Sequence, residues 1–162
     1  MKAQRVEMFV CPTATPSDCS GLQRLADAKK IRPDTLVALV GKTEGTGAHD
    51  DWGRVWADVA LRDWAGRFLG IDPSEVAKHV IFVLSGGCPG VITPHVAAIT
   101  REWVEIPDSG ANPGAEKRLV VGRAGSEPMP PEEVGRMGQI RKVAEATRRA
   151  MDDAGLDDPH DV

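Results

Sequence analysis

Two stretches constrain the fold more than anything else in this chain: TLVALVGK at 35–42 and HVIFVLSGG at 79–87. Each is a short, continuous apolar run rich in valine and leucine, and each ends in glycine. Runs of this length and character read as strands buried in a sheet. Between them, Trp52, Trp56, Val59, Ala60, Trp64 and Phe68 recur at helical spacing. That spacing predicts a helix over about 51–69, capped by Asp50 or Asp51 and stopped by Gly70. The tryptophans on that face are expected to be core. A base-stacking platform would want basic neighbours, and the neighbours are Asp50, Asp51, Asp58 and Asp63.

The rest of the chain continues the alternation. Residues 5–11 (RVEMFVC) predict a strand, broken by Pro12 and Pro16. Ser20-Gly21-Leu22-Gln23 has the form of a capping box and predicts a helix over about 20–29. Asp72-Pro73-Ser74-Glu75 opens a short helix with proline at its first position. Strands are expected around 97–106 and 117–124, joined through the turn-rich stretch Asp108 to Gly114. The proline cluster at 128–131 opens a last helix over about 131–154, with Val134, Met137, Ile140, Val143, Ala144, Thr147 and Met151 on its inner side. Gly155 stops it. The expectation is α/β: one domain over 1–162, with a mixed sheet flanked by helices.

Composition excludes several function classes. With 162 residues, 41% of them hydrophobic and 27% charged, the chain suits a globular core and not disorder. A net charge of −4 argues against a nucleic-acid binder. No apolar run approaches ~18 residues, so no membrane span is expected, and the start does not read as a signal peptide. Three cysteines with no C-x-x-C give neither a zinc site nor a disulfide framework. They point to a reducing compartment, by default the cytoplasm. His49, His79, His95 and His160 do not have joint metal-ligand spacing, and no metal or other cofactor is expected.

Chemistry is expected just beyond the carboxyl ends of the two buried strands, where open α/β sheets place their ligands. One end reads Gly41-Lys42-Thr43-Glu44-Gly45-Thr46-Gly47 and the other Ser85-Gly86-Gly87-Cys88-Pro89-Gly90. Gly41-Lys42-Thr43 resembles the end of a phosphate-binding loop, but position 36 is leucine where that loop needs glycine, and the preceding residues are strand-like. A serine–lysine pair is the second reading. Ser85 needs a base, the N–H groups of Gly86 and Gly87 can hold a developing oxyanion, and Lys42 can be that base if neutral. An ordinary lysine is protonated at neutral pH, so this role requires burial or a neighbouring cation such as Arg54. Arg54 can instead clamp a substrate oxygen. The plain alternatives are a simple turn at Ser85-Gly86-Gly87 and a solvated lysine. Cys88 is a rival nucleophile, but with no histidine next to it in sequence it is read as a small buried thiol. His95 is either structural or close to Ser85. The basic residues of the last helix, interleaved with glutamates, form a solvated face or a subunit contact.

These strings together resemble the ring-opening amidohydrolases, the family of cyanuric acid hydrolase and barbiturase. The resemblance is carried by VGKTEGTG with the following acidic pair and Arg54, by LSGGCPGVITPH (84–95), by PPEEVGRMGQIRKV (130–143) and by AMDDAGLDDPHDV (150–162). CPTATPSDCSGL matches as well. It covers the whole chain, in order, as the first of the family's three similar α/β domains around a pseudo-threefold axis. It implies that Lys42, Arg54 and Ser85 line a site shared between three lobes, with Gly86 and Gly87 binding substrate. It also leaves open whether Ser85 or a serine of another lobe attacks. The implied partners are a small cyclic imide or amide substrate and two further lobes. Those lobes come from a homotrimer, a heterotrimer or the rest of a longer enzyme. The implied reaction is hydrolysis of a ring C–N amide bond. The rival expectation is a non-catalytic scaffold or small-ligand-binding subunit of the same fold.

Overall fold

A computed structural model describes residues 2–87, 90–105 and 119–162. The chain divides into two compact units, one of Val6–Glu102 and one of residues 1–5 with Trp103–Val162. Four strands form one sheet: β1 (Lys2–Pro12), β2 (Leu36–Lys42), β3 (Ile81–Ser85) and β4 (His95–Glu105), in the order β1-β4-β2-β3. Strand β2 pairs in parallel with β3 and antiparallel with β4, so the sheet is mixed. The helices are α1 (Ser20–Asp27), α2 (Gly53–Leu69) and α3 (Met137–Ala154), with short 3-10 turns at Val76–Lys78, Pro131–Glu133 and Pro159–Asp161.

Register divides the first unit's part of the sheet into two faces. Leu39 lies across from Phe82 and Ala98, and Gly41 across from Leu84 and Val96. This face, with Phe9 and Cys11 of β1, packs with Leu22 of α1 and with Leu61, Trp64 and Ala65 of α2 to form the core. Side chains alternate along a strand, so Ala38, Val40 and Lys42 point the other way. Their register partners are Ile81, Val83 and Ser85 on one side and Ile99, Ala97 and His95 on the other. That second face is open at its edges: Met8, Val10 and Val83 are all more than half exposed.

Several expectations need correction. The capping box does not form: Ser20 is already helical and makes no cap bond. Asp18 takes that role, its carboxylate accepting the Ser20 and Ala14 N–H groups, both at 2.9 Å. Gln23 is occupied elsewhere, accepting the Trp64 indole N–H at 3.0 Å. In α2 the buried stripe is Ala57, Leu61, Trp64 and Ala65. Trp52, Trp56 and Val59 are exposed. Of the three tryptophans expected on the core face, Trp64 turns inward, and Trp52 and Trp56 fall on the adjacent stripe. After Pro73 the chain makes only a 3-10 turn at Val76–Lys78.

In the second unit, residues 119–124 do not form a strand. The Val121 N–H goes to the Gln4 side chain and the Arg123 N–H to Asp153, at 2.9 and 2.8 Å. Side chains thus take the amides that a ladder would use. Gly122 is required there, because a Cβ would overlap the Ala150 carbonyl. Helix α3 begins at Met137, after a 3-10 turn at Pro131–Glu133. Val134, Met137, Ile140 and Val143 are exposed, and Ala154 is its buried residue. Position 106, the Asp108–Gly114 connection, positions 117 and 118, Cys88 and Pro89 lie outside the described residues.

Candidate active site

The site is built by the strand register. Lys42 ends β2 and Ser85 ends β3, and the two are direct partners in the parallel pair. On the other side of Lys42, the antiparallel pair puts His95 opposite it. Three polar side chains therefore stand in one row at one edge of the open face. The Lys42 ammonium Nζ donates to Ser85 Oγ at 2.9 Å and to the Gly86 carbonyl at 2.7 Å. The ladder runs one step past the pair, with the Thr43 N–H donating to the Ser85 carbonyl at 2.8 Å. Ser85 is exposed, whereas Lys42 is half-buried.

His95 Nδ1 lies 2.8 Å from the Thr93 carbonyl. A carbonyl can only accept, so Nδ1 carries a proton and Nε2 is the free ring nitrogen when the ring is neutral. Sequence alone associates His95 with Ser85; register makes it the neighbour of Lys42.

Two glycine loops close behind the row. Gly47 and Gly87 both have φ in the left-handed region, at +73° and +80°, and a Cβ on Gly47 would sit 3.0 Å from the Gly87 Cα. Backbone meets backbone there, which only glycine permits. Arg54, in the first turn of α2, donates through Nη2 to the Ala48 carbonyl at 3.3 Å. Its Nε is buried without a hydrogen-bond partner, and its Cγ lies beside Gly86. Arg54 also faces Asp51, whose carboxyl is held below its usual range by the Gly47 and Gly53 amides and then by the Arg54 charge. A cavity of about 450 Å³ opens next to these residues, lined by His49, Asp51, Arg54, Asp58, Arg62 and Phe82 among others. In sequence Asp51 is a candidate helix cap and half of the acidic pair before Arg54, with no site role assigned. Its spacing from the two glycine loops carries no signal until the fold is known.

Among the described residues, no group of three or more His, Cys, Asp or Glu is placed to hold a metal ion. No described helix is long and apolar enough to cross a membrane. What the row can do chemically is pass a proton between a hydroxyl and an amine at hydrogen-bond distance, beside glycine backbone and a guanidinium.

The sequence and the fold both have known counterparts. The chain belongs to the ring-opening amidohydrolase family, whose model, described as "Amidohydrolase ring-opening protein", matches residues 7–162. Among curated relatives, it is 43% identical over 158 residues to a cyclic amide hydrolase of Pseudofrankia inefficax, covering 98% of this chain and 40% of that protein. A cyanuric acid amidohydrolase of Bradyrhizobium diazoefficiens is 40% identical over 162 residues, with 100% and 43% covered. A solved structure titled "Cyanuric acid hydrolase: evolutionary innovation by structural concatenation" superposes with a TM-score of 0.85 at 40% identity, covering 96% of this chain and 42% of that one. The chain thus spans well under half the length of these relatives.

Proposed function

We propose that this chain is one lobe of a ring-opening hydrolase of cyclic amides, with Lys42 and Ser85 as its reacting pair. The observation that carries the reading is the 2.9 Å contact between Lys42 Nζ and Ser85 Oγ at adjacent strand ends. With Lys42 neutral, the same contact runs in reverse: the serine hydroxyl donates and the amine accepts. Ser85 Oγ then attacks a ring carbonyl while its proton passes to Nζ. The developing oxyanion faces the Gly86 and Gly87 backbone and the Arg54 guanidinium. The ring C–N bond breaks as Nζ returns the proton to the departing nitrogen, leaving an acyl-serine. Water attacks that ester and releases the opened product.

One lobe offers one such pair. The exposed apolar residues Met8, Val10 and Val83 on the site's face, with Trp52 just ahead of α2 and Trp56 on it, support further lobes covering them. Those lobes are two copies of this chain, two partner chains or further length of the same polypeptide, and the attacking serine is Ser85 or its counterpart on another lobe. Free thiols at Cys11 and Cys19 suit a reducing compartment, the cytoplasm.

Light scattering followed by a cyanuric acid hydrolysis assay tests this reading. A mass of three times 17.4 kDa with activity supports a homotrimer. An inactive monomer sends the search to partner chains. In the active assembly, Ser85→Ala should lower turnover by about 10²-fold or more. Unchanged turnover in Ser85→Ala would show a scaffold or ligand-binding lobe instead.

A further inference from the structure

The loop leaving β2 and the turn leaving β3 are held by a side chain that the Lys42–Ser85 chemistry does not use. Asp51 stands just ahead of α2. Its Oδ2 accepts the Gly47 N–H and its Oδ1 the Gly53 N–H, each at 2.9 Å. One oxygen therefore engages the β2 exit loop and the other the first turn of α2. On a third side stands Gly86. A Cβ added at Gly86, or at Gly45, would overlap the Asp51 carboxylate. The carboxylate fills space that these glycines leave empty. Arg54 closes the surround, with its Cγ beside Gly86 and its Nη2 on Ala48 in the same exit loop.

We infer that Asp51 is the positioning residue of this site, fixing the β2 exit loop against the Ser85-Gly86 turn. Through those loops it sets the direction of the backbone at Gly86 and Gly87, just beyond the strand ladder that spaces Lys42 from Ser85. The catalytic consequence rests on the function proposed above; the geometry does not. Lys42 cannot do this job itself, because its bond to the Gly86 carbonyl would follow the turn if the turn moved. An anchor has to reach the turn from outside the pair, and Asp51 does so from the start of α2. Both oxygens must accept, which requires the ionised carboxylate. Asparagine offers one acceptor oxygen and sets an N–H against the other amide. Glutamate keeps the charge, but its extra methylene carries both oxygens away from the positions that meet the Gly47 and Gly53 amides.

Amide hydrogen exchange by NMR on the full chain, for Asp51→Ala, Asp51→Asn and Asp51→Glu, tests the anchoring. In Asp51→Ala the Thr43, Gly47 and Gly53 amides should exchange about tenfold faster or more, with Leu39 and Ala98 in mid-sheet unchanged. Asp51→Glu should be no better than Asp51→Ala, and Asp51→Asn should recover only one of Gly47 and Gly53. Unchanged exchange at Thr43 and Gly47 overturns the inference, and so does an equal acceleration at Leu39. In the assembled protein turning over cyanuric acid, Asp51→Ala should lower kcat about tenfold or more while leaving KM within about threefold. A raised KM with kcat intact would make Asp51 a substrate-binding group instead. If the unsubstituted protein opens no cyclic amide ring, the proposed function fails, and the exchange data alone decide on Asp51.

Discussion

Truncating Leu39 to alanine tests which face of the sheet is core. Leu39 is fully buried on β2, across from Phe82 and Ala98. The change removes three carbon groups, about 2.4 kcal/mol of transfer free energy at ~0.8 per group. A cavity term adds to this, because β2 is paired on both sides and cannot close inward. The total should be about 3–4 kcal/mol. Val40→Ala, one residue on and facing the other way, should cost about 1 kcal/mol. Val83→Ala, at 52% exposure, should cost about 0.5 kcal/mol or less. Urea unfolding followed by tryptophan emission reads the difference, since buried Trp64 lies in the same unit and packs in the same core. Leu39→Ala should lower the midpoint strongly with an unchanged m-value. Equal losses at Leu39 and Val83 in the dilute monomer would refute the assignment of faces. A Val83 loss that grows with protein concentration would instead show that the open face is covered in an assembly.

Three further outcomes follow from single contacts. Trp64→Phe keeps a ring stacked on Phe68 but removes the indole bond to Gln23; it should cost about 1–2 kcal/mol in urea unfolding, and Gln23→Leu in that background should add less than it does alone. Burial, with a smaller contribution from Asp18, pushes the Cys19 thiol up to about 11, and burial raises Cys11 too. In a Cys88→Ser background both should resist iodoacetamide at pH 8 in the native chain and react after unfolding; rapid native labelling would contradict their burial. The Asp18 carboxyl is held low by the Ala14 and Ser20 amides. Its folded pKa is depressed, so its contribution is complete above the unfolded value of ~3.9 and is lost as pH falls through the folded value. The Ala14 and Ser20 amide shifts should titrate together below that value, and a midpoint at or above it would deny the two bonds.

The sequence showed the fold where one kind of signal dominated. Unbroken apolar runs with glycine exits placed β2 and β3 within a residue or two, and Gly70 and Gly155 marked where α2 and α3 stop. Lys42 and Ser85 were candidates because both sit at strand ends, but their pairing depended on a parallel register that no local pattern encodes. Ser20 and Gln23 spell a capping box, yet Asp18 and Trp64 compete for the same partners and prevail. Trp52 and Trp56 look like core by size, but the face carrying Ala57, Leu61, Trp64 and Ala65 is the one turned inward. Residues 119–124 look like a strand until Gln4 and Asp153, distant in sequence, take their amides. At Gln23 and at residues 119–124 a partner distant in sequence overrides the local preference.

The row of Lys42, Ser85 and His95 sits where sheets normally fray. Here the central strand is clamped on both flanks, and the Thr43 bond to Ser85 carries the ladder one rung past the row. The lysine and serine are therefore mounted on what is mechanically the interior of a ladder, and their spacing is set by interstrand geometry and not by side-chain packing. On the function proposed above, substitutions that reshape the neighbouring walls should change which ring fits without moving Lys42 from Ser85, so specificity and reactivity can be altered separately.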